Sequence, residues 1–138
     1  MKYKLRLLSL SIGILYVLFG ALKFFPSLSP AEDIGIATAQ MLSFNLLSPQ
    51  AAIILLASFE IGVGILLLCN KCQKVAIILA VCHLVLTFSP FFLFPDQVFH
   101  VGSYGPSLLG QYIFKNIVLL SALFLLYPSK RDSILVTN

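Results

Sequence analysis

Four apolar runs, separated by short polar segments, organise the chain. The first follows Lys2, Lys4 and Arg6, extends from Leu7 to Leu22, and closes on Lys23-Phe-Phe-Pro26. The second begins at Pro49, reaches Cys69 and carries one acid, Glu60. The third runs from Val75 to Phe94 and contains His83; the fourth opens at Gly110, contains Lys115 and ends at Tyr127-Pro128. A hydrocarbon core about 30 Å thick is crossed by about 20 apolar helical residues. The pattern therefore predicts membrane spans over 6–25, 49–69, 75–94 and 110–127 in a single domain, 1–138. The opening resembles a secretory signal peptide, but its apolar run is long for one and no small-x-small cleavage site follows, so it is read as the first span.

Between the first two spans the period changes. Pro26-Ser-Leu-Ser-Pro30 breaks the helix, and Glu32 and Asp33 then fall in a first helical turn, where negative charge suits the macrodipole. Ile34, Ala37, Met41 and Leu42 recur at helical spacing, so residues 31–45 read as a short amphipathic helix too polar to span. Residues 95–109, with two prolines, two glycines, Asp96 and His100, read as loop. The expected fold is all-α: a four-transmembrane-helix bundle with a short amphipathic helix between the first and second spans.

Composition supports lipid as the solvent. Hydrophobic residues make up 59% and charged residues 10% of the chain, against roughly 45–50% and about 25% in soluble domains. The net charge of +4 does not point to nucleic acid, because the charges sit in clusters between apolar runs and not along one face. They read as topology signals. Lys2, Lys4 and Arg6, then Lys71 and Lys74, then Lys130 and Arg131 share one side of a four-span chain, while Glu32, Asp33 and Asp96 fall on the other. Basic loops stay inside. The expectation is a multi-pass inner (plasma) membrane protein with both termini cytoplasmic.

Each span carries one ionisable residue: Lys23, Glu60, His83 and Lys115. Facing lipid, each would cost at least about 2.5 kcal/mol. Helical spacing lines them up with small and polar residues. Ser9, Gly13, Tyr16, Gly20 and Lys23 share a face, as do Ala57, Glu60 and Gly64. Ala76, Ala80, His83, Thr87 and Pro90 share a third face, and Gln111, Lys115, Val118 and Ala122 a fourth. The candidate intramembrane site is thus Lys23, Glu60, His83, Gln111 and Lys115, with one carboxylate serving up to two ammonium groups. Three readings stand beside each other: an ion pair that only fixes helix register, a ligand or proton-handling site, and lysines that reach out to the headgroups.

Cys69-Asn-Lys-Cys72 has the spacing of a redox pair, with Lys71 to favour a thiolate. It falls on the side where thiols stay reduced and lacks the further ligands of a metal site, so small residues at a helix end are the competing reading. Cys82 reads as packing and His100 as a surface residue. No nucleotide loop, zinc motif, Ser/His/Asp arrangement or haem-spaced histidine pair is present.

The segments Phe19-Gly-Ala-Leu-Lys-Phe24, Pro26, Ser29-Pro-Ala-Glu32 and Glu60-Ile-Gly-Val-Gly64 resemble the DoxX and DoxX-like membrane proteins. So do Thr87-Phe88, Phe94-Pro-Asp96, Pro106-Ser-Leu108 and Gly110-Gln-Tyr-Ile-Phe-Lys-Asn116. The resemblance covers nearly the whole chain. It implies a four-helix membrane bundle and marks Lys23, Glu60 and Lys115. It also implies a link to a quinone-dependent oxidase or to oxidative-stress metabolism, with quinone as a non-covalent ligand. The CNKC segment is not part of the pattern. The expected function is an accessory membrane subunit and not an autonomous enzyme, embedded in the bilayer beside a redox-protein partner or a second copy. An assembly protein without catalysis, and an oligomeric proton or small-solute transporter, are the alternatives.

Overall fold

The computed structural model describes residues 2–25, 32–70, 72–99 and 105–128. The expectations placed on Pro26, Ser29, Lys71, His100, Lys130 and Arg131 lie outside the described residues. The elements run α1 (Lys2–Leu22), α2 (Glu32–Leu42), α3 (Pro49–Cys69), α4 (Gln73–Leu86), α5 (Pro90–Leu93), α6 (Pro95–Val98), α7 (Leu108–Phe114) and α8 (Asn116–Leu126). Four stretches are long and apolar enough to cross a membrane: Tyr3–Leu22, Pro49–Cys69, Gln73–Leu93 and Leu108–Leu126. The four-span bundle with a short intervening helix is therefore present.

Local chemistry sets the helix ends. Ser48 caps α3 by accepting a hydrogen bond from the Ala51 N–H at 3.2 Å, with Pro49 at the first helical position. Asn70 ends α3 in the left-handed region (φ 55°), and Cys72 precedes α4 in the same region (φ 51°). Two left-handed residues within so short a connection reverse the chain between α3 and α4.

The third span is not one continuous helix. Pro90 has no N–H to offer Leu86, and Leu86 O instead accepts from the Ser89 N–H (3.0 Å) and the Ser89 hydroxyl (2.7 Å). The chain turns at Thr87–Ser89 and resumes as α5. Beyond it, the segment expected as loop contains the single turn α6, and an isolated bridge pairs Phe99 with Pro106. Ser107 donates its hydroxyl to Gln97 O (2.7 Å) and accepts from the Gly110 N–H (3.1 Å), so α7 starts two residues before Gly110.

The inward face expected for the fourth span is corrected in part: Lys115 and Val118 line the cavity between the helices, and Gln111 does not. Gly110, Ile113, Leu123 and Leu126 are buried, whereas Gln111, Lys115 and Val118 are exposed, Val118 at 70%. Gly110 and Ile113 take the buried face of α7 and leave Gln111 on the other side, and the helix breaks at Lys115. The Val118 N–H bonds Lys115 O in a tighter three-residue turn, and α7 and α8 meet there as separate segments. A regular 3.6-residue projection does not carry across such a break.

α1 and α3 pack antiparallel and unusually close. A Cβ on Gly13 would stand 3.1 Å from Gly64 O, and one on Gly64 would stand 2.9 Å from Gly13 O and the Val17 N. Small residues at such crossings let backbones approach, as membrane helix pairs require. Arg6 reaches the far end of α3 and donates to Leu68 O (2.6 Å) and Leu67 O (3.4 Å), while Ser9 donates to Leu67 O (3.2 Å). Those carbonyls have no intrahelical partner, and a cation there also suits the helix dipole. The main core is built from α1, α3, α4 and α8 around Ile12, Tyr16, Leu67, Ile77 and Leu123. A second cluster at the opposite end joins Ile34, Val98 and Ile113 with phenylalanines such as Phe91, whose ring meets Phe114 at 5.0 Å.

Candidate functional site

Between these two clusters lies a cavity of about 610 Å³. Its polar wall is built from side chains that the spacing of each helix turns inward. Lys23 follows the last turn of α1, and its Nζ stands 2.6 Å from Glu60 Oε2 on α3. The two side chains are only 9% and 8% exposed. Lys23 Nζ also donates to Phe19 O at 3.4 Å. The other carboxylate oxygen, Glu60 Oε1, lies 3.4 Å from His83 Nε2 on α4. On the far side of that ring, Tyr16 OH stands 3.2 Å from His83 Nδ1 and donates to Ala80 O at 3.1 Å. A carboxylate only accepts, so the proton of a neutral imidazole belongs on Nε2; Nδ1 and Ala80 O are then both acceptors that share the single Tyr16 hydroxyl proton. Lys23, Glu60, His83 and Tyr16 thus form one series of donors and acceptors across α1, α3 and α4.

Glu60 therefore serves Lys23 and His83, not two lysines. Lys115 lines the same cavity but pairs with no carboxylate among the described residues. Its ammonium lies 3.7 Å from the centre of the Tyr112 ring and 5.8 Å from that of Phe19, a cation–π placement. Gln111 is not brought to the cavity. It is exposed, and its side-chain amide donates to Pro106 O at 3.3 Å, tying α7 to the preceding loop.

Sequence reasoning missed three further features. Tyr112 sits three residues before Lys115, a helical spacing that signals a contact. Asn116 Nδ2 donates to Thr87 Oγ1 at 3.0 Å, and Thr87 Oγ1 donates to Leu84 O at 2.6 Å, linking the two interrupted spans. Thr38 lines the cavity, and its buried hydroxyl has no hydrogen-bond partner among the described residues. No sequence signal distinguishes it.

Cys69 and Cys72 are free, exposed thiols at the α3–α4 turn, at the end of α3 that Arg6 caps. Cys82 is also free and exposed, on α4. Among the described residues, no group of three or more His, Cys, Asp or Glu side chains could hold a metal ion.

A family model for DoxX matches residues 5–94. The chain belongs to the DoxX family. The DoxX match extends from α1 through α5 and includes Lys23, Glu60 and His83, so the paired half of the polar wall lies within it. Lys115 and the Gly110–Asn116 segment lie beyond it. Neither the curated proteins nor the solved structures contain a match to the chain.

Proposed function

We propose that this DoxX-family protein is an accessory membrane subunit that binds a lipid-soluble, quinone-type ligand in the cavity beside Glu60 and works with a redox-protein partner. The observation that carries the reading is Glu60 itself. It is a buried carboxylate joined to a lysine on one side and a histidine on the other, at the wall of an otherwise apolar cavity. Ionisable groups at membrane depth mark ligand or proton pathways, and about 610 Å³ falls within the ~300–1,000 Å³ range of small-molecule sites.

The residues present suit such a head. Lys23 and Lys115 offer ammonium donors for carbonyl oxygens, and Phe19 and Tyr112 offer aromatic faces. Leu15, Leu42 and Leu119 give an apolar lining for a ring substituent or tail. A bound quinone would supply two-electron, two-proton carrier chemistry. The chain's own part is to hold the head and keep a proton at Glu60 or His83 within reach of it. The placement of the basic residues favours an inner-membrane location with cytoplasmic termini.

The test is native mass spectrometry of the protein gently extracted from its own membrane, for the wild type and for Glu60→Gln. A quinone-sized adduct or a redox partner on the wild type is expected. Quinone-dependent reduction should be lost in Glu60→Gln at equal protein level. A bare protein, with activity unchanged in the variant, would refute the reading. Capture of non-redox membrane proteins alone would favour an assembly role.

A further inference from the structure

A second concavity shares no residue with the cavity beside Glu60. It is a groove of about 650 Å³ between the start of α4 and the end of α8. Ile77 lines it and is 1% exposed, while Ile78 and Phe124, at 49% and 67%, stand open. Val81 and Cys82 continue the apolar surface along α4. Lys74 and Tyr127 supply the polar groups at one end.

The two ends of the groove lie at different depths. The third span starts at Gln73 and the fourth finishes at Leu126, so Lys74 and Tyr127 stand where hydrocarbon gives way to headgroups. Cys82, eight residues beyond Lys74 on α4, is about 12 Å deeper at about 1.5 Å per residue. Half of a hydrocarbon core about 30 Å thick is about 15 Å. The groove therefore follows most of the length of an acyl chain in one leaflet, with its polar end at the level of the phosphates.

The charge at that end is uncompensated. Lys74 is exposed and pairs with no carboxylate among the described residues. The first turn of α4 holds no acid, and none lines the groove. Arg6, by contrast, is engaged by Leu67 O and Leu68 O. A cation with a phenol beside it, at the head of an apolar channel, complements an amphiphile with an acidic head. A second copy of the chain suits the groove less well, because a two-fold interface would bring the same unpaired lysine from both sides.

We propose that the α4–α8 groove binds one anionic phospholipid, with its phosphate at Lys74 and Tyr127 and one acyl chain along Ile78, Cys82 and Phe124. Basic recesses between membrane helices recognise acidic headgroups in this way. The site is independent of any ligand beside Glu60.

The experiment uses the purified full chain in a neutral detergent, supplied with equal amounts of phosphatidylglycerol and deuterium-labelled phosphatidylcholine carrying the same acyl chains. Native mass spectrometry counts the lipids retained. Wild type should hold one phosphatidylglycerol, in about fivefold preference over phosphatidylcholine. Lys74→Gln should bring the ratio close to unity, and Lys74→Arg should keep the preference. Lys4 is an exposed lysine of α1 that does not line the groove, so Lys4→Gln should leave the ratio unchanged. Cys82→Trp fills the apolar part of the groove and should lower retention of both lipids. Wild type that retains no phospholipid, or both equally, overturns the proposal. Equal losses in Lys4→Gln and Lys74→Gln would assign the preference to diffuse surface charge and overturn it too, as would full retention in Cys82→Trp. A lipid-free dimer would give the groove to a second copy and overturn it as well.

Discussion

Lys23 and Glu60, 37 positions apart in the chain, meet at 2.6 Å with both side chains almost fully enclosed. The pair joins α1 to α3 at the wall of the cavity, and its energetics are set by enclosure. Removing one member of a buried pair strands the other, at about 3–5 kcal/mol, whereas replacing both with apolar residues of similar size is often neutral. Lys23→Met or Glu60→Leu alone should destabilise the protein by about that amount. The Lys23→Met/Glu60→Leu double variant should recover most of the loss. Unfolding of the four proteins in detergent forms the cycle, and simple additivity would contradict the pairing.

The crossing of α1 and α3 makes a prediction that two glycines on one helix can test. A Cβ on Gly64 would stand 2.7 Å from Val17 Cγ2 and 2.9 Å from the backbone of Gly13 and Val17, while one on Gly62 would meet nothing within 4 Å. Gly64→Ala should destabilise by about 1–3 kcal/mol through overpacking. Gly62→Ala should be neutral or stabilise by up to about 1 kcal/mol, the helix-propensity difference. Equal effects at both positions would mean that the helices are not in contact at Gly64.

Arg6 supplies the end of α3 with donors it cannot find within the helix. Arg6→Met should cost about 1.5–3 kcal/mol, the worth of hydrogen bonds to a charged donor. Arg6→Lys should recover only part, because an ammonium lacks the fork that reaches Leu67 and Leu68 together. Chemical unfolding of the three proteins measures both differences.

The proposed orientation can be read with thiol chemistry. Cys69 and Cys72 are exposed at the α3–α4 turn, which the proposed orientation puts on the cytoplasmic face. A membrane-impermeant maleimide should label them in inside-out vesicles and not in right-side-out ones. Cys82, on α4 within the third span, should resist the reagent in both. Labelling of the turn from the outer face would invert the topology.

The four spans were legible because hydropathy integrates over some twenty residues and tolerates local irregularity. The faces of the first three spans were legible because Ser9, Tyr16, Ala57, Glu60 and Ala80 keep regular helical spacing up to the site. The fourth was not, because Gly110 and Ile113 take the inner face of α7, which leaves Gln111 turned away from the cavity, and the break at Lys115 then shifts the register of α8. Which cation takes Glu60 was also hidden. Lys23, His83 and Lys115 could each serve a carboxylate, and only the packing of α1 against α3 places Lys23 beside it. Thr38 carried no signal, since whether a helical hydroxyl satisfies itself depends on its rotamer and not on its neighbours in the chain.

The polar groups of α1 have a further consequence for how the chain enters the bilayer. Arg6, Ser9 and Lys23 all find partners on α3. A nascent chain that has delivered only its first span holds those groups without partners in or beside lipid. Span one gains its full stability only after residues 49–69 have been synthesised, so the first and second spans are best accommodated as a pair. The order of synthesis thereby makes the first span wait for the second, and the fidelity of insertion depends on a helix not yet made when insertion begins.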